Sequence, residues 1–361
     1  MAGIFLKDGG QWNLKSQSQP ACRNERNINM KILVTQPAGN TRDSFITPDC
    51  AELLEKLGDV EYNNTGREFT EAELREKLKG KDIALTGWGT AMLGKTVLEG
   101  NSRLKMIAHT GGTVNSLVDD YAYTHGIKVI SGNDVYAESV AEAVIAYMLL
   151  GLRKIPKYME LVRANSWYNY VDSWEGLLDR TVGFISFGMI PKHLVKMLKP
   201  FRVKIKVYSS HISDEELKEY GMERATPEEV FSTCDVISIH SALNEKTRHM
   251  INQELLGKIQ DGAVLINTSR GAVIDEAALV EEMKKNRFTA VLDVYEHEPL
   301  PLDHPLRSLP NVYPIPHMGG PTYDRRRFVT LALIEDMNNM ISGKPLKMEI
   351  SSDYFCHMTK Q

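Results

Sequence analysis

Apolar positions along this chain follow two spacings in turn. Runs of consecutive apolar residues, such as those at 31–35, 82–87 and 104–111, are typical of buried strands. Between the runs, apolar residues recur at helical spacing, as in residues 49–58, which close on a glycine. Strands that alternate with helices over short links predict a parallel sheet with helices on both faces.

The alternation occurs in two series, separated by a long apolar stretch at residues 137–155. That stretch predicts a buried helix at which the chain crosses between domains. Its apolar runs look too short to span a bilayer, so no membrane segment is expected. A second series, of six predicted strands, starts at Arg180, and one more helix follows His317. Six strands joined by right-handed crossovers form a doubly wound sheet, which binds ligands at the carboxyl ends of its strands.

The pattern therefore predicts an α/β protein with two doubly wound parallel-sheet domains. The first domain is predicted at 31–135, completed by a returning helix at 321–345, and the second at 136–320. Residues 1–30 are rich in Gln, Asn and Ser without periodicity, which predicts a disordered N-terminal extension. Residues 346–361 are interpreted as a C-terminal tail.

Charge and cysteine content narrow the class of protein. Lys and Arg total 43 against 47 Asp and Glu, a net charge of −4, so we expect no nucleic-acid or membrane partner. The basic triplet at 325–327 is interpreted as a solvated helix face. Four scattered cysteines without a C-x-x-C pair favour a reducing compartment, the cytoplasm, and predict neither a disulfide framework nor a metal site.

Chemistry-bearing residues follow three predicted strands of the second series. Arg270 lies in "NTSRGAVIDE", Glu298 in "LDVYEHEP" and His317 in "PHMGG". Taken singly, each is more often a surface or structural residue, but all three occupy strand ends where such a sheet binds its ligand. Arginine matches a carboxylate, histidine exchanges the proton of a carbonyl or alcohol, and a neighbouring glutamate orients the imidazole. Around a bound nicotinamide, this set suits reduction of a 2-oxo acid or oxidation of a 2-hydroxy acid without a metal.

Together with "AESVAEAVIAYML", these motifs resemble the D-isomer-specific 2-hydroxyacid dehydrogenase family over roughly residues 31–345. The resemblance implies a Rossmann cofactor domain at 136–320, inserted in a flavodoxin-like substrate (catalytic) domain formed by 31–135 and 321–345. It also implies NADP or NAD as the cofactor, a small 2-oxo or 2-hydroxy acid as the substrate, and a homodimer formed through the cofactor domain.

The same resemblance implies a role for each matching residue. Arg270 would bind the substrate carboxylate and polarise the carbonyl, His317 would be the acid/base, and Glu298 its partner. The loop "TGWGT" would shape substrate specificity, with Trp88 either facing the cleft, where it favours a bulky or apolar substrate group, or packing in the core. The backbone of Gly111 and Gly112 would hold the carboxylate. Asp293 would meet the nicotinamide carboxamide. The residues expected on the cofactor side are Gly188, Met189, Ile190, Ser209, Ser210, Ser241, Thr268, Ser269, Asp293, Gly319 and Gly320.

The glycine-rich turn departs from the family pattern. Where G-x-G-x-x-G is expected, residues 186–191 read S-F-G-M-I-P, so Ser186 and Pro191 replace two glycines and Gly188 remains. Gly188 would still let the backbone approach a pyrophosphate, which the amides of Met189 and Ile190 would hold. Because a residue before proline disfavours helical geometry, the helix is expected to begin one residue late.

A second departure concerns the choice between the two cofactors. The family usually ends its next strand with an acid that binds the adenosine ribose, but this chain reads "KVYSSH" with Ser209 in that place. Without the carboxylate, Ser209, Ser210 and His211 would accommodate a 2′-phosphate, so NADP(H) is expected to bind at least as well as NAD(H). The alternative is a sequence change in a loop that has no effect on cofactor choice.

Two rival functions remain open on the sequence. A dinucleotide-binding regulator on the same fold, like the C-terminal-binding-protein corepressors, resembles dehydrogenases at Arg270, Glu298 and His317 as well. The altered glycine turn favours that regulator, whereas the absence of an added interaction segment beyond two short tails favours the enzyme. A formate dehydrogenase is less consistent, because the family's formate enzymes carry Gln where Glu298 stands.

Overall fold

The computed structural model describes residues 5–6, 12–13, 29–167 and 174–358. Most of the predicted disordered extension at 1–30 lies outside these ranges. Within it, strands β1 (Phe5–Leu6) and β2 (Trp12–Asn13) form a short antiparallel pair. From Asn29 the chain is described continuously to Trp167.

The first sheet has five parallel strands with a buried apolar core on both faces. Its strands are β3 (Met30–Pro37), β4 (Gly58–Asn63), β5 (Ile83–Thr86), β6 (Met106–His109) and β7 (Lys128–Ser131). The order β4-β3-β5-β6-β7 is the flavodoxin-like one that the resemblance implied. The helices between them are α1 (Asn40–Phe45), α2 (Pro48–Glu55), α3 (Glu71–Lys77), α4 (Lys95–Leu98) and α5 (Asp120–Thr124).

Helix α6 (Asn133–Leu152) links the two sheets, and α7 (Ile155–Arg163) follows it. By length and composition α6 is long and apolar enough to cross a membrane, so the expectation that this stretch is too short was wrong. Half of the helix is buried inside the protein, however, where it packs into the core of the second sheet. A core helix that is apolar on most sides gives the same composition as a membrane span.

The second sheet has seven parallel strands, in the order β10-β9-β8-β11-β12-β13-β14. They are β8 (Thr181–Ile185), β9 (Lys204–Tyr208), β10 (Glu223–Arg224), β11 (Val236–Ile239), β12 (Val264–Asn267), β13 (Thr289–Leu292) and β14 (Val312–Pro314). The helices are α8 (Met189–Leu198), α9 (Asp214–Tyr220), α10 (Pro227–Thr233), α11 (Gln253–Lys258) and α12 (Glu276–Lys284). Six strands were predicted. The seventh, β10, has two exposed residues and no apolar pattern to reveal it.

The chain finally returns to the first sheet through α13 (Arg326–Ile341), whose buried face joins the core of that sheet. The second sheet is therefore inserted between β7 and α13, as the resemblance implied. The predicted tail is folded as far as residue 358: Ile350 donates to the Val129 carbonyl at the edge of the first sheet, and α14 (Ser352–His357) follows. The domain boundaries proposed from the sequence stay a prediction.

Candidate active site

The loop after β12 carries Arg270, and the Asn267 side chain fixes its shape. Asn267 Oδ1 accepts from the Ser269 amide at 3.0 Å and the Ser269 hydroxyl at 2.8 Å, while Nδ2 donates to the Arg270 carbonyl at 3.0 Å. A Cβ on Gly271 would lie 1.8 Å from the Tyr295 carbonyl carbon, so only glycine lets this loop pack on the loop after β13. The sequence reasoning missed Asn267, although a polar residue ending a buried strand was a signal for it.

Arg270 is a largely buried cation. Burial lowers the pKa of its guanidinium below the ordinary value, while the Glu298 carboxylate opposes that shift. One guanidinium nitrogen donates to the Ser269 carbonyl at 2.7 Å. A guanidinium has five N–H donors, so this bond leaves others for an anion. A guanidinium that is largely removed from water is stabilised by an anionic partner such as a carboxylate.

His317 and Glu298 form a hydrogen-bonded pair at the edge of the same loops. His317 Nδ1 lies 2.5 Å from Glu298 Oε2, and the other Glu298 oxygen accepts from the Tyr295 amide at 3.1 Å. The His317 backbone has φ +51°, and its amide donates to the Ile315 carbonyl in a tight turn after β14. The side chain is 53% exposed. With Nδ1 facing the carboxylate, Nε2 is the ring atom that can exchange a proton with a substrate.

Asp293 holds the backbone that follows His317. Its carboxylate accepts from the amides of Met318 and Gly319, both at 2.8 Å, and from the Tyr147 hydroxyl at 3.4 Å. Burial raises the pKa of the Asp293 carboxyl, and the two amide bonds act in the opposite direction. A Cβ on Gly319 would lie 2.7 Å from Asp293 Oδ2, which explains the glycine there. Contact of Asp293 with a nicotinamide stays a prediction.

Adjacent parallel strands bring the three catalytic candidates together. Arg270 follows β12, Glu298 follows β13 and His317 follows β14, and these strands are neighbours in the sheet. Glu298 connects the other two, since it hydrogen-bonds His317 and acts electrostatically on Arg270. A guanidinium and an imidazole–carboxylate pair thus lie at one edge of the sheet.

Trp88 lies in the loop after β5 and is 46% exposed. Its ring makes edge contacts with Phe45 and Tyr136, at centroid distances of 5.3 Å and 6.4 Å. The Tyr136 ring lies 3.5 Å from where a Cβ on Gly112 would be, so the aromatic cluster borders the expected substrate loop. The Arg326 guanidinium lies 5.3 Å from the Trp88 ring centroid, a cation–π contact.

The expectation that residues 325–327 form a solvated face was wrong. Arg325 pairs with Glu138, and Arg327 pairs with Asp49. Arg326 packs over the aromatic cluster instead. Helical spacing could not reveal these partners, because all of them belong to segments far earlier in the chain.

The buried side chain of His109 packs against the loop that carries Gly111. His109 Nδ1 lies 2.9 Å from the Thr86 hydroxyl, and burial lowers the pKa of the imidazole to about 4. A Cβ on Gly111 would lie 2.3 Å from His109 Nε2. Gly111 is therefore required by packing, because the neutral imidazole occupies the space that a side chain would need.

The altered glycine turn keeps an open helix start. A Cβ on Gly188 would meet none of the described atoms within 4 Å, and no described side chain caps α8. The amides of Met189 and Ile190 begin that helix, where unpaired N–H groups and the dipole favour an anion. The expected delay was wrong: α8 begins at Met189 with Pro191 as its third residue. Proline is tolerated there because a first-turn amide has no intrahelical partner.

The serines of the expected cofactor side follow neighbouring strands. Ser186, after β8, has φ +77°, and its hydroxyl lies 2.7 Å from that of Ser241, after β11. Ser209 follows β9 and is half-buried, and Ser210 is exposed. The Thr268 hydroxyl is buried and has no partner among the described residues, which suits a contact with a ligand. These positions fit a dinucleotide laid across the strand ends.

Comparison with protein families identifies this architecture. The family model described as "D-isomer specific 2-hydroxyacid dehydrogenase, NAD binding domain" matches residues 145–319. That range contains α8, the serine-bearing strand ends, Arg270, Glu298 and His317. The matched part therefore coincides with the second sheet and the loops at its ligand-binding edge.

Individual proteins agree with that match. The chain is 33% identical over 291 residues to a hydroxypyruvate reductase of Thermotoga maritima, covering 80% of this chain and 93% of that protein. It is 32% identical over 317 residues to a D-3-phosphoglycerate dehydrogenase of Methanocaldococcus jannaschii, covering 87% of this chain but only 58% of that protein. An acyclic imino acid reductase solved with NADPH and D-Arg shares 26% identity and a TM-score of 0.73, covering 89% of this chain and all of that one. None of the three supports the corepressor alternative.

Proposed function

The chain belongs to the D-isomer specific 2-hydroxyacid dehydrogenase family, and from that premise we propose that it transfers a hydride between NAD(P)H and the carbonyl of a 2-oxo acid. The cofactor is NAD or NADP. The observation that carries the proposal is the His317–Glu298 pair beside the largely buried Arg270.

The proposed reaction assigns one task to each side chain. Arg270 binds the substrate carboxylate and polarises the adjacent carbonyl, because its fork of donors reaches both oxygens. A reduced dinucleotide, held at the start of α8 and the neighbouring strand ends, would supply the hydride for the carbonyl carbon. His317 Nε2 donates the proton to the carbonyl oxygen, and Glu298 holds the imidazole through Nδ1. In the oxidative direction the same imidazole accepts the proton.

The substrate of this reaction is proposed to carry a bulky or apolar group. Trp88 is half exposed next to Tyr136, which borders Gly112, so its indole can form a wall of the substrate space. The Arg326 guanidinium makes cation–π contacts with both Phe45 and Trp88. An aromatic wall offers apolar contact to the side chain of a 2-oxo acid larger than glyoxylate, whose carbonyl carbon carries only a hydrogen.

NADP(H) is proposed to bind at least as well as NAD(H). The support is Ser209, whose hydroxyl replaces the expected acid and leaves no like charge at its position to repel a 2′-phosphate. We expect Ser209→Asp to improve NADH affinity and to weaken NADPH affinity about tenfold, equivalent to about 1.4 kcal/mol. Fluorescence titration of both cofactors into both proteins measures this. A strong preference of the wild type for NADH, or unchanged affinities in the variant, would contradict the assignment.

A homodimer formed through the cofactor domain is also proposed. Ile155, Met159 and Val162 form an apolar stripe on α7 and are 41%, 48% and 53% exposed. Three large apolar side chains at i, i+4 and i+7 favour a partner surface. We expect Met159→Glu to yield a monomer in light scattering, whereas a wild-type monomer would exclude the dimer. A cytoplasmic location stays a prediction based on the cysteine pattern.

One assay tests the function as a whole. Absorbance at the NAD(P)H band, measured with a panel of 2-oxo acids, should show turnover by the wild type. His317→Ala should lower kcat by roughly 10²–10⁴-fold with unchanged cofactor affinity, since only the proton donor is lost. A wild type that binds the dinucleotide but reduces no 2-oxo acid would refute the proposal. A variant within threefold of wild type would remove His317 from the mechanism.

A further inference from the structure

The C-terminal segment, residues 346–358, is fastened to the edge of the first sheet. The Asp336 carboxylate accepts from the amides of Lys347 and Met348, at distances between 2.6 Å and 2.9 Å. Ile350 is 4% exposed, and the Phe355 ring packs on Tyr123 at 5.2 Å between centroids. This anchoring gives α14 a defined position.

From that position Tyr354 reaches the start of the glycine-turn helix. Its hydroxyl oxygen accepts from Asn133 Nδ2 at 3.2 Å and lies 3.7 Å from the Met189 sulfur. Asn133 Nδ2 also lies 3.4 Å from that sulfur. Asn133 begins α6 and Met189 begins α8, so a side chain from the C-terminal segment meets two helix N-termini.

Hydrogen-bond donors outnumber good acceptors around the Met189 side chain. Two hydrogen-bond donors, a phenol and an amide, approach the Met189 thioether, which is a weak acceptor. The Met189 and Ile190 amides lie at the same helix start without a side-chain cap among the described residues, and the space above Gly188 is open. The amides that begin α8 create a positive potential and bond to no acceptor among the described residues.

We propose that Tyr354 and Asn133 are part of the dinucleotide site and donate to its pyrophosphate together with the backbone of the glycine turn. The phosphate oxygens replace the thioether as acceptor, because hydrogen bonds to an ionised oxygen are shorter and stronger. Tyr354 is 41% exposed, so its hydroxyl is accessible to such a ligand. The C-terminal segment would then lie over the pyrophosphate and connect both sheets to it. This inference rests on the proposed dinucleotide binding.

The test removes one hydroxyl and measures binding without turnover. We expect Tyr354→Phe to raise the Kd of NADH, NADPH and ADP-ribose about three- to tenfold alike, since all three carry the pyrophosphate. Tyr123→Phe is the matched control: it removes a buried hydroxyl that has no partner among the described residues, beneath the same segment. Fluorescence titration and the melting temperature of the apoprotein are measured for all variants.

The outcomes separate this inference from the proposed function. A higher Kd in Tyr354→Phe alone, with an unchanged apoprotein melting temperature, supports a direct contact. An unchanged Kd, or an equal rise in Tyr123→Phe, overturns the inference while dinucleotide binding stands. A wild type that binds none of the three compounds overturns both. Asn133→Ala provides a second variant and should weaken the same three ligands.

Discussion

Ser186 permits a quantitative test of how this chain tolerates the loss of a glycine. Its φ of +77° lies in the left-handed region, which costs a residue with a Cβ about 1–2 kcal/mol. The hydrogen bond between its hydroxyl and that of Ser241, at 2.7 Å, offsets about 1 kcal/mol. Ser186→Ala keeps the unfavourable backbone and loses the bond, so it should destabilise the protein by about 1 kcal/mol.

Ser186→Gly should behave differently from the alanine variant. Glycine removes the backbone cost and loses the same bond. Its greater conformational freedom in the unfolded chain, however, destabilises the folded state by about 0.4–1 kcal/mol. The glycine variant should therefore exceed the alanine variant by about 0.5–1 kcal/mol in the free energy of unfolding. Urea titration followed by tryptophan fluorescence measures this, with Ser241→Ala as the control that removes only the bond. An alanine variant as stable as the glycine variant would refute the reasoning.

Three further predictions concern the site. Arg270→Lys should raise the KM for a 2-oxo acid strongly, because an ammonium cannot reproduce the guanidinium fork, and an unchanged kcat/KM would contradict that role. Trp88→Ala should reorder the rates among 2-oxo acids, whereas a uniform loss with a lower melting temperature would assign Trp88 to packing. His109, with a folded pKa of about 4 against an ordinary 6.5, stays neutral in the fold while the unfolded chain takes up a proton as the pH falls. The free energy of unfolding should thus fall by about 3 kcal/mol between pH 6.5 and pH 4 because of His109. Urea titrations at several pH values measure this, and the same pH slope in a His109→Gln variant would exclude His109 as the cause.

The local pattern of apolar and polar residues was sufficient to predict much of the architecture. Apolar runs located both sheets, because a parallel strand buried on both faces must be apolar throughout. Arg270, Glu298 and His317 were found as polar residues just beyond such runs, and parallel strands bring their carboxyl ends to one edge. Strand β10 was not predicted, because its two residues are exposed and show no apolar pattern.

The sequence by itself determined the α/β class, the two doubly wound sheets, the candidate catalytic residues and the altered glycine turn. Only the tertiary structure decided that Arg326 packs on Trp88, that His109 occupies the space beside Gly111, and that Tyr354 reaches Met189. The physical reason is the separation along the chain between the residues that interact. Burial and periodicity act over a few neighbouring residues, whereas Tyr354 and Met189 are 165 positions apart and meet only when the whole chain has packed.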